Sequence, residues 1–209
     1  MKSKVSIARM TGIALVLMGL LAGVVMSGRF GEALGADEMT IQKLNSVEGG
    51  SIAQSGAIIW TLIMILDFLV ALGVAKLFNN LLGKVSAALR WTYTGFLMAC
   101  VIILFVMQGP EAFFHFEKWW SIGLIVFGLH LITLGLSMPK MGWLNVAFRW
   151  LLVIAGAGYM IVHTGMNLFP EYDQIVKEIE NIFVLPMIVG ELGLAFYWII
   201  APKKFVSSL

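Results

Sequence analysis

The sequence predicts an all-α, polytopic membrane protein, a bundle of six transmembrane helices with the N-terminus and the C-terminus both cytoplasmic. Three observations predict it. The 209 residues are 60% hydrophobic and only 12% charged, with a mean hydropathy of +0.93, about half the charge of a soluble domain. Six stretches reach the roughly 20 apolar residues needed to cross a ~30 Å hydrocarbon core. Basic residues gather on one side of these stretches and acids on the other. The same composition argues against a soluble enzyme domain, a disordered chain and, because Cys100 is the single cysteine, a disulfide-stapled module. The chain is read as one integral membrane domain, 1–209.

The first span, 8–28, follows Lys2, Lys4 and Arg9. That pattern also suits a signal peptide cut after Ala36 in Leu34-Gly35-Ala36. Against cleavage, the apolar run is long. Gly12, Gly19 and Gly23 also fall near one helix face, and Gly19/Gly23 makes a small-xxx-small packing surface. A long connection from Arg29 to about Gln54 carries Glu32, Asp37, Glu38 and Glu48; residues 37–48 within it have the spacing of a short surface helix. The second span, 55–78, holds Asp67. The third, 87–108, is headed by Arg90, and the fourth, 119–138, holds His130 and, on its face, Thr133. The fifth, 147–167, is headed by Arg149. Its run Ala155-Gly156-Ala157-Gly158 reads as a packing surface beside Tyr159, and His163, four residues on, reads as a solvated histidine near the outer surface. A second surface helix is expected over 171–182, before the last span, 183–201, which holds Glu191. Trp119, Trp120 and Trp143 lie at span ends, where an aromatic belt is expected.

With the N-terminus inside, ten of the fourteen basic residues flank the inner ends: Lys2, Lys4, Arg9, Lys76, Lys84, Arg90, Lys140, Arg149, Lys203 and Lys204. The outer side takes Arg29, Lys43, Lys118 and Lys177 with ten acids, which also include Glu111, Glu117, Glu171, Asp173, Glu178 and Glu180. An acidic vestibule or ordinary solvated caps both suit that outer surface. Each outward-running helix begins with an arginine, so the chain also reads as three hairpins headed by Arg9, Arg90 and Arg149. That pattern fits a parallel repeat, and it fits the positive-inside rule acting three times.

Ionisable groups inside a span cost several kcal/mol unless they face protein or water. Asp67, His130 and Glu191 are the three at mid-depth, roughly 12–17 Å above the inner surface, and they form the candidate site. Thr133, Tyr159, Arg90, Arg149 and His163 are its candidate supports. Three readings stay open. The first is a structural or binding membrane subunit in which the three side chains, joined by Tyr159 or Thr133, pin helices together. The second is a proton-coupled, cation or small-solute transporter, since histidine titrates near neutrality. The third is an intramembrane metal-dependent hydrolase in which Asp67, His130 and Glu191 bind zinc. No close-spaced ligand pair, phosphate-binding loop or nucleophile elbow accompanies them, so neither a cofactor nor an enzyme is expected. A haem between His130 and His163 is disfavoured by depths that differ by ~8 Å. The partners to expect are membrane lipids, a proton or small cation, and a further copy of the chain or another membrane protein. At a net charge of +2, nucleic acid is not expected.

Phe127-Gly128-Leu129-His130-Leu131, Ala155-Gly156-Ala157-Gly158-Tyr159 and Leu185-Pro186-Met187-Ile188-Val189-Gly190-Glu191-Leu192 resemble the bacterial integral-membrane family DUF4386. The resemblance extends back to Leu66-Asp67-Phe68-Leu69-Val70-Ala71-Leu72 and to Arg90. It implies a polytopic protein of the bacterial cytoplasmic membrane, and it implies no activity. Where the family tends to open its third helix with Arg-x-x-Glu, this chain has Arg90-Trp91-Thr92-Tyr93, which removes a carboxylate partner for Arg90.

Overall fold

The computed structural model describes residues 2–34, 36–48, 51–107 and 109–209. Gly35, beside the expected cleavage position, and the side chains of Glu48 and Asp173 lie outside the described residues. The elements are α1 (Lys2–Ser27), α2 (Arg29–Ala33), α3 (Glu38–Glu48), α4 (Ile52–Leu77), α5 (Leu81–Val106), α6 (Gly109–Ser137), α7 (Trp143–Leu168), a 3-10 turn (Pro170–Tyr172), α8 (Asp173–Ile200) and α9 (Pro202–Val206). Six helices, α1 and α4 to α8, are long and apolar enough to cross a membrane. They coincide with the six spans read from the sequence but overrun them. A helix of 26 residues rises ~39 Å at 1.5 Å per residue, past a ~30 Å hydrocarbon core.

Two boundaries carry a correction. Residues 171–182 do not form a separate surface helix: the 3-10 turn leads directly into α8, which runs unbroken to Ile200 with Pro186 inside it. Hydropathy changes at 183, but nothing there stops a helix. The third span begins six residues before 87, at Leu81, where the Asn80 side chain caps α5 by accepting from the Gly83 amide at 2.7 Å. Between α2 and α4, α3 forms over the predicted range. Asp37 accepts at its head from the Thr40 amide at 2.8 Å; hydrogen bonds from the Thr40 hydroxyl and amide hold this exposed carboxyl below the usual range.

The spanning helices form a closed ring. Each packs against its chain neighbour in the order α1, α4, α5, α6, α7, α8, and α8 returns to α1. Both termini lie at one end, the lysine-rich end; α2, α3 and the acids cap the other. Small residues set the close approaches. A Cβ on Gly73 of α4 would strike the Thr11 hydroxyl of α1, and one on Gly12 would lie 2.6 Å from the Ala195 carbonyl oxygen of α8. Between α6 and α7, Gly128 and Gly156 lie backbone to backbone, so the alanine–glycine run is a packing surface as read. The hairpin joining these two helices turns at Gly142, whose φ of +84° suits glycine.

Aromatic clusters plug both ends. Phe30 of α2 packs edge-on to Phe116 (5.2 Å between centroids) and beside Trp60 and Phe113 at the acid-rich end. Phe205 of α9 packs against Phe78 and Trp198 at the other. The outer surface is the reverse of a soluble protein's: Leu20, Val24, Ile58, Leu62, Ile65, Met98, Ile102, Ile161 and Ile188 are all exposed. An apolar belt of that extent belongs against lipid, which makes the chain a multi-pass membrane protein.

Candidate functional site

Two polar assemblies lie inside the ring. The first is a triad in which Arg90 is the centre. Its guanidinium forms an ion pair with Asp67 of α4, and its Nη1 donates to His130 Nε2 of α6 at 3.3 Å. Asp67 and His130 are fully buried and Arg90 is 1% exposed. The Thr94 hydroxyl donates to Asp67 Oδ2 at 2.5 Å, while the Ser86 hydroxyl and carbonyl both face His130 Nδ1 at 2.9 Å. An arginine has donors only, so His130 Nε2 must accept and the ring proton sits on Nδ1, facing the Ser86 carbonyl. The guanidinium carbon stands 4.9 Å from the centre of the Phe127 ring, a further contact for the cation.

Arg90, expected as an inner flank and a support of the site, is its centre: a buried intramembrane charge ten residues into α5, and Asp67 is the carboxylate partner that the local sequence lacked. The signal was present as spacing: Ser86, Arg90 and Thr94 recur every four residues and form one polar stripe down α5.

The second assembly runs along α7. The Tyr159 hydroxyl donates to Glu191 Oε1 of α8 at 2.9 Å; among the described residues, Oε2 has no hydrogen-bond partner. His163 stacks on Tyr159, with centroids 6.1 Å apart and planes 14° from parallel, and its Nδ1 lies 3.0 Å from Ser121 Oγ of α6. Asn167 donates to that Ser121 oxygen at 2.7 Å, leaving the serine proton for His163. His163 is therefore a buried, hydrogen-bonded residue, not the solvated histidine expected from its place near the span end. The stripe Tyr159, His163, Asn167 again has a spacing of four, and only its first two members had been singled out.

Glu191 thus does not join Asp67 and His130 in one cluster. It lies across a gap of about 10 Å³ from Arg90 and His130, at the lower limit for one water, roughly 10–15 Å³. Among the described residues, no three His, Cys, Asp or Glu side chains converge to hold a metal ion, so the ligand set of a zinc hydrolase is not assembled. Among the described residues, Thr133 bonds only to carbonyls of its own helix, Leu129 and His130, and supports neither assembly. Arg149 donates to the Met138 carbonyl at 3.2 Å and closes the α6–α7 hairpin. Arg9 is exposed, so the three helix-heading arginines occupy three different environments and carry no repeated site.

The second assembly borders a cavity of about 960 Å³ inside the ring. Tyr159, Glu191, His163, Ser121 and Asn167 supply its polar wall; Trp60, Tyr93, Trp120 and Phe127 supply an aromatic one; and Glu117, Lys118 and Glu180 stand towards the acid-rich end. The ring is tight at one end and splayed at the other. Gly12, Gly19 and Gly23 fall within an arc of about 40° around α1. A Cβ at Gly12 would strike α8 backbone, one at Gly19 would meet only the tip of Leu192 at 3.0 Å, and one at Gly23 would meet nothing within 4 Å. So α1 and α8 diverge towards the acid-rich end. Along that divergence Val184 and Ile188 line the cavity and are 40% and 53% exposed, so the parting of α1 from α8 leaves a slot on this side of the cavity.

No curated protein and no solved structure matches the chain. A family model does match, beginning beyond Asp67 and Arg90 and covering three of the six walls of the ring, with both histidines of the two assemblies and the Tyr159–Glu191 pair. Residues 110–201 match the family described as Domain of unknown function (DUF4386), the same family that the sequence resembles.

Proposed function

We propose that this membrane protein is a binding protein for a small hydrophobic molecule, held in the cavity with its polar end at the Tyr159–Glu191 pair. The observation that carries this reading is the pairing of a cavity of about 960 Å³ with a few convergent polar groups. Ligand sites span roughly 300–1,000 Å³, mostly apolar with a small number of placed polar groups. The Asp67–Arg90–His130 triad then has a structural part: it ties α4, α5 and α6 together behind the site, and the gap beside it is too small for a ligand.

The test is extraction and mass analysis of small molecules that copurify with the protein in mild detergent, beside an Ala22→Trp variant. Ala22 lines the cavity, and an indole there fills part of it. A species present in near-stoichiometric amount with the wild type and depleted in the variant supports binding. Identical extracts from two well-folded proteins count against it.

A second reading, movement of a proton or small cation, is favoured by one observation. Glu191 borders both the large cavity and the small gap at Arg90 and His130, where a relay would need an exchangeable group. Proteoliposomes under an imposed pH gradient test it, and a flux equal to that of empty liposomes would remove it.

A further inference from the structure

We propose that the ligand class is the lipophilic cation: a molecule with a broad apolar or aromatic body and a positively charged head, taken from the bilayer through the slot between α1 and α8. This inference rests on the binding reading and names its ligand.

Charge is the first argument. The ionisable lining of the cavity comprises two carboxylates, Glu180 and Glu191, against a single Lys118, together with His163 and with Glu117, which has an interaction of its own. The positive charge nearest the polar wall, Arg90, borders the small gap beside Glu191 and is already ion-paired with Asp67. A guest therefore meets a surplus of negative charge in a setting where water screens poorly, and there a Coulombic preference is large.

The aromatic wall points the same way. Trp60, Tyr93, Trp120, Phe127 and Tyr159 line one cavity, and aromatic faces attract cations, most strongly when both are desolvated. Glu191 lies deepest, with Oε1 held by Tyr159 and Oε2 without a hydrogen-bond partner among the described residues. An ammonium or other cationic head completes what the tyrosine leaves open. An anionic head of the same size would meet the glutamates.

The third argument is the route. Gly19 and Ala22 on α1 and Val184, Ile188 and Leu192 on α8 form the edges of the slot, and all five are small or aliphatic. A molecule using it must first partition into the hydrocarbon region, which selects a lipophilic body. A small inorganic cation would not enter this way.

The experiment compares two ions of nearly equal size and opposite charge, tetraphenylphosphonium and tetraphenylborate, with neutral triphenylphosphine oxide as a third probe. Binding to protein in neutral detergent is followed by equilibrium dialysis and by the fluorescence of Trp60 and Trp120. The phosphonium is expected to bind saturably, about tenfold or more tighter than the other two. Glu191→Gln should weaken phosphonium binding about tenfold and leave the neutral probe unchanged. Glu180→Lys, a change at the rim that leaves the Tyr159–Glu191 pair in place, should weaken the phosphonium and strengthen the borate. Ala22→Trp should weaken all three. Borate or neutral probe binding as tightly as the phosphonium overturns the cation inference and leaves the binding reading standing, as does an unchanged phosphonium affinity in both charge variants. Should none of the three probes bind saturably to the wild type, the binding reading falls and this inference with it.

Discussion

Arg90 donates to His130 and pairs with Asp67 at the same time, so one guanidinium joins three helices of the ring through two contacts of different character. The ion pair carries the charge balance, and the histidine contact fixes orientation. Met18 of α1 adds a weak sulfur contact at 3.8 Å, and Nε is left without a partner among the described residues.

Removing one member of such a pair strands the other. A single break in a buried ion pair costs about 3–5 kcal/mol, whereas replacing both partners by apolar groups of similar volume is often neutral. Asp67→Asn and Arg90→Met, taken singly, are expected to lower the melting temperature sharply, read as loss of the monodisperse peak after heating in detergent. The double variant Asp67→Leu with Arg90→Met should recover most of the loss. A double variant as unstable as the worse single one would show that the charges are not balanced against each other.

The histidine contact predicts a spectroscopic result. Because Arg90 can only donate, His130 must hold its proton on Nδ1, opposite the Ser86 carbonyl at 2.9 Å. Nitrogen-15 spectra of protein labelled at histidine should assign the Nδ1-protonated form to one ring, and that signal should disappear in His130→Gln. In Arg90→Met the constraint is gone, and the tautomer is expected to redistribute. An Nε2-protonated His130 in the wild type would contradict the contact.

How far these features were legible in the sequence depends on what a residue's neighbours reveal. The six spans follow from apolar length, and length survives any uncertainty about packing. Asp67, His130 and Glu191 were identified as costly, which is a property of each residue alone. Their partners were not, because adjacency around a ring is a property of the whole. Arg90 illustrates the difference: near a span boundary, a buried arginine and a flanking one look alike, and only the helix start separates them. That start was legible in Asn80 and Gly83, the residues of the cap. His163 was misjudged for the same reason at the other end of α7, since stacking on Tyr159 and bonding to Ser121 bury it despite its position.

Close helix approach gives a prediction with an internal control. Gly128 and Gly156 face each other across α6 and α7, and a Cβ on Gly128 would stand 2.6 Å from the Gly156 carbonyl oxygen. Gly95 of α5 has open space where its Cβ would be. Overpacking typically costs about 1–3 kcal/mol, so Gly128→Val should lower the melting temperature clearly. Gly95→Ala should leave it unchanged or raise it, since alanine is favoured over glycine in a helix by about 1 kcal/mol. Equal effects at both sites would mean that α6 and α7 are not in backbone contact.

The splay between α1 and α8 predicts a gradient of access along one helix face. Gly12, Gly19 and Gly23 point the same way, yet their surroundings pass from α8 backbone, through one leucine methyl, to open space. Cysteines placed one at a time at positions 12 and 23, in a Cys100→Ala background, should therefore differ towards an apolar maleimide supplied in the detergent or lipid phase. Cys100 is buried, so its removal guards against slow background labelling. Gly23→Cys is expected to label readily. Gly12→Cys should resist labelling, and it should cost stability, because its side chain must displace the Ala195 carbonyl. Reaction at 12 as fast as at 23 in a folded protein would mean that the two helices part along their whole length and that no tight end exists. Protection at 23 would close the slot.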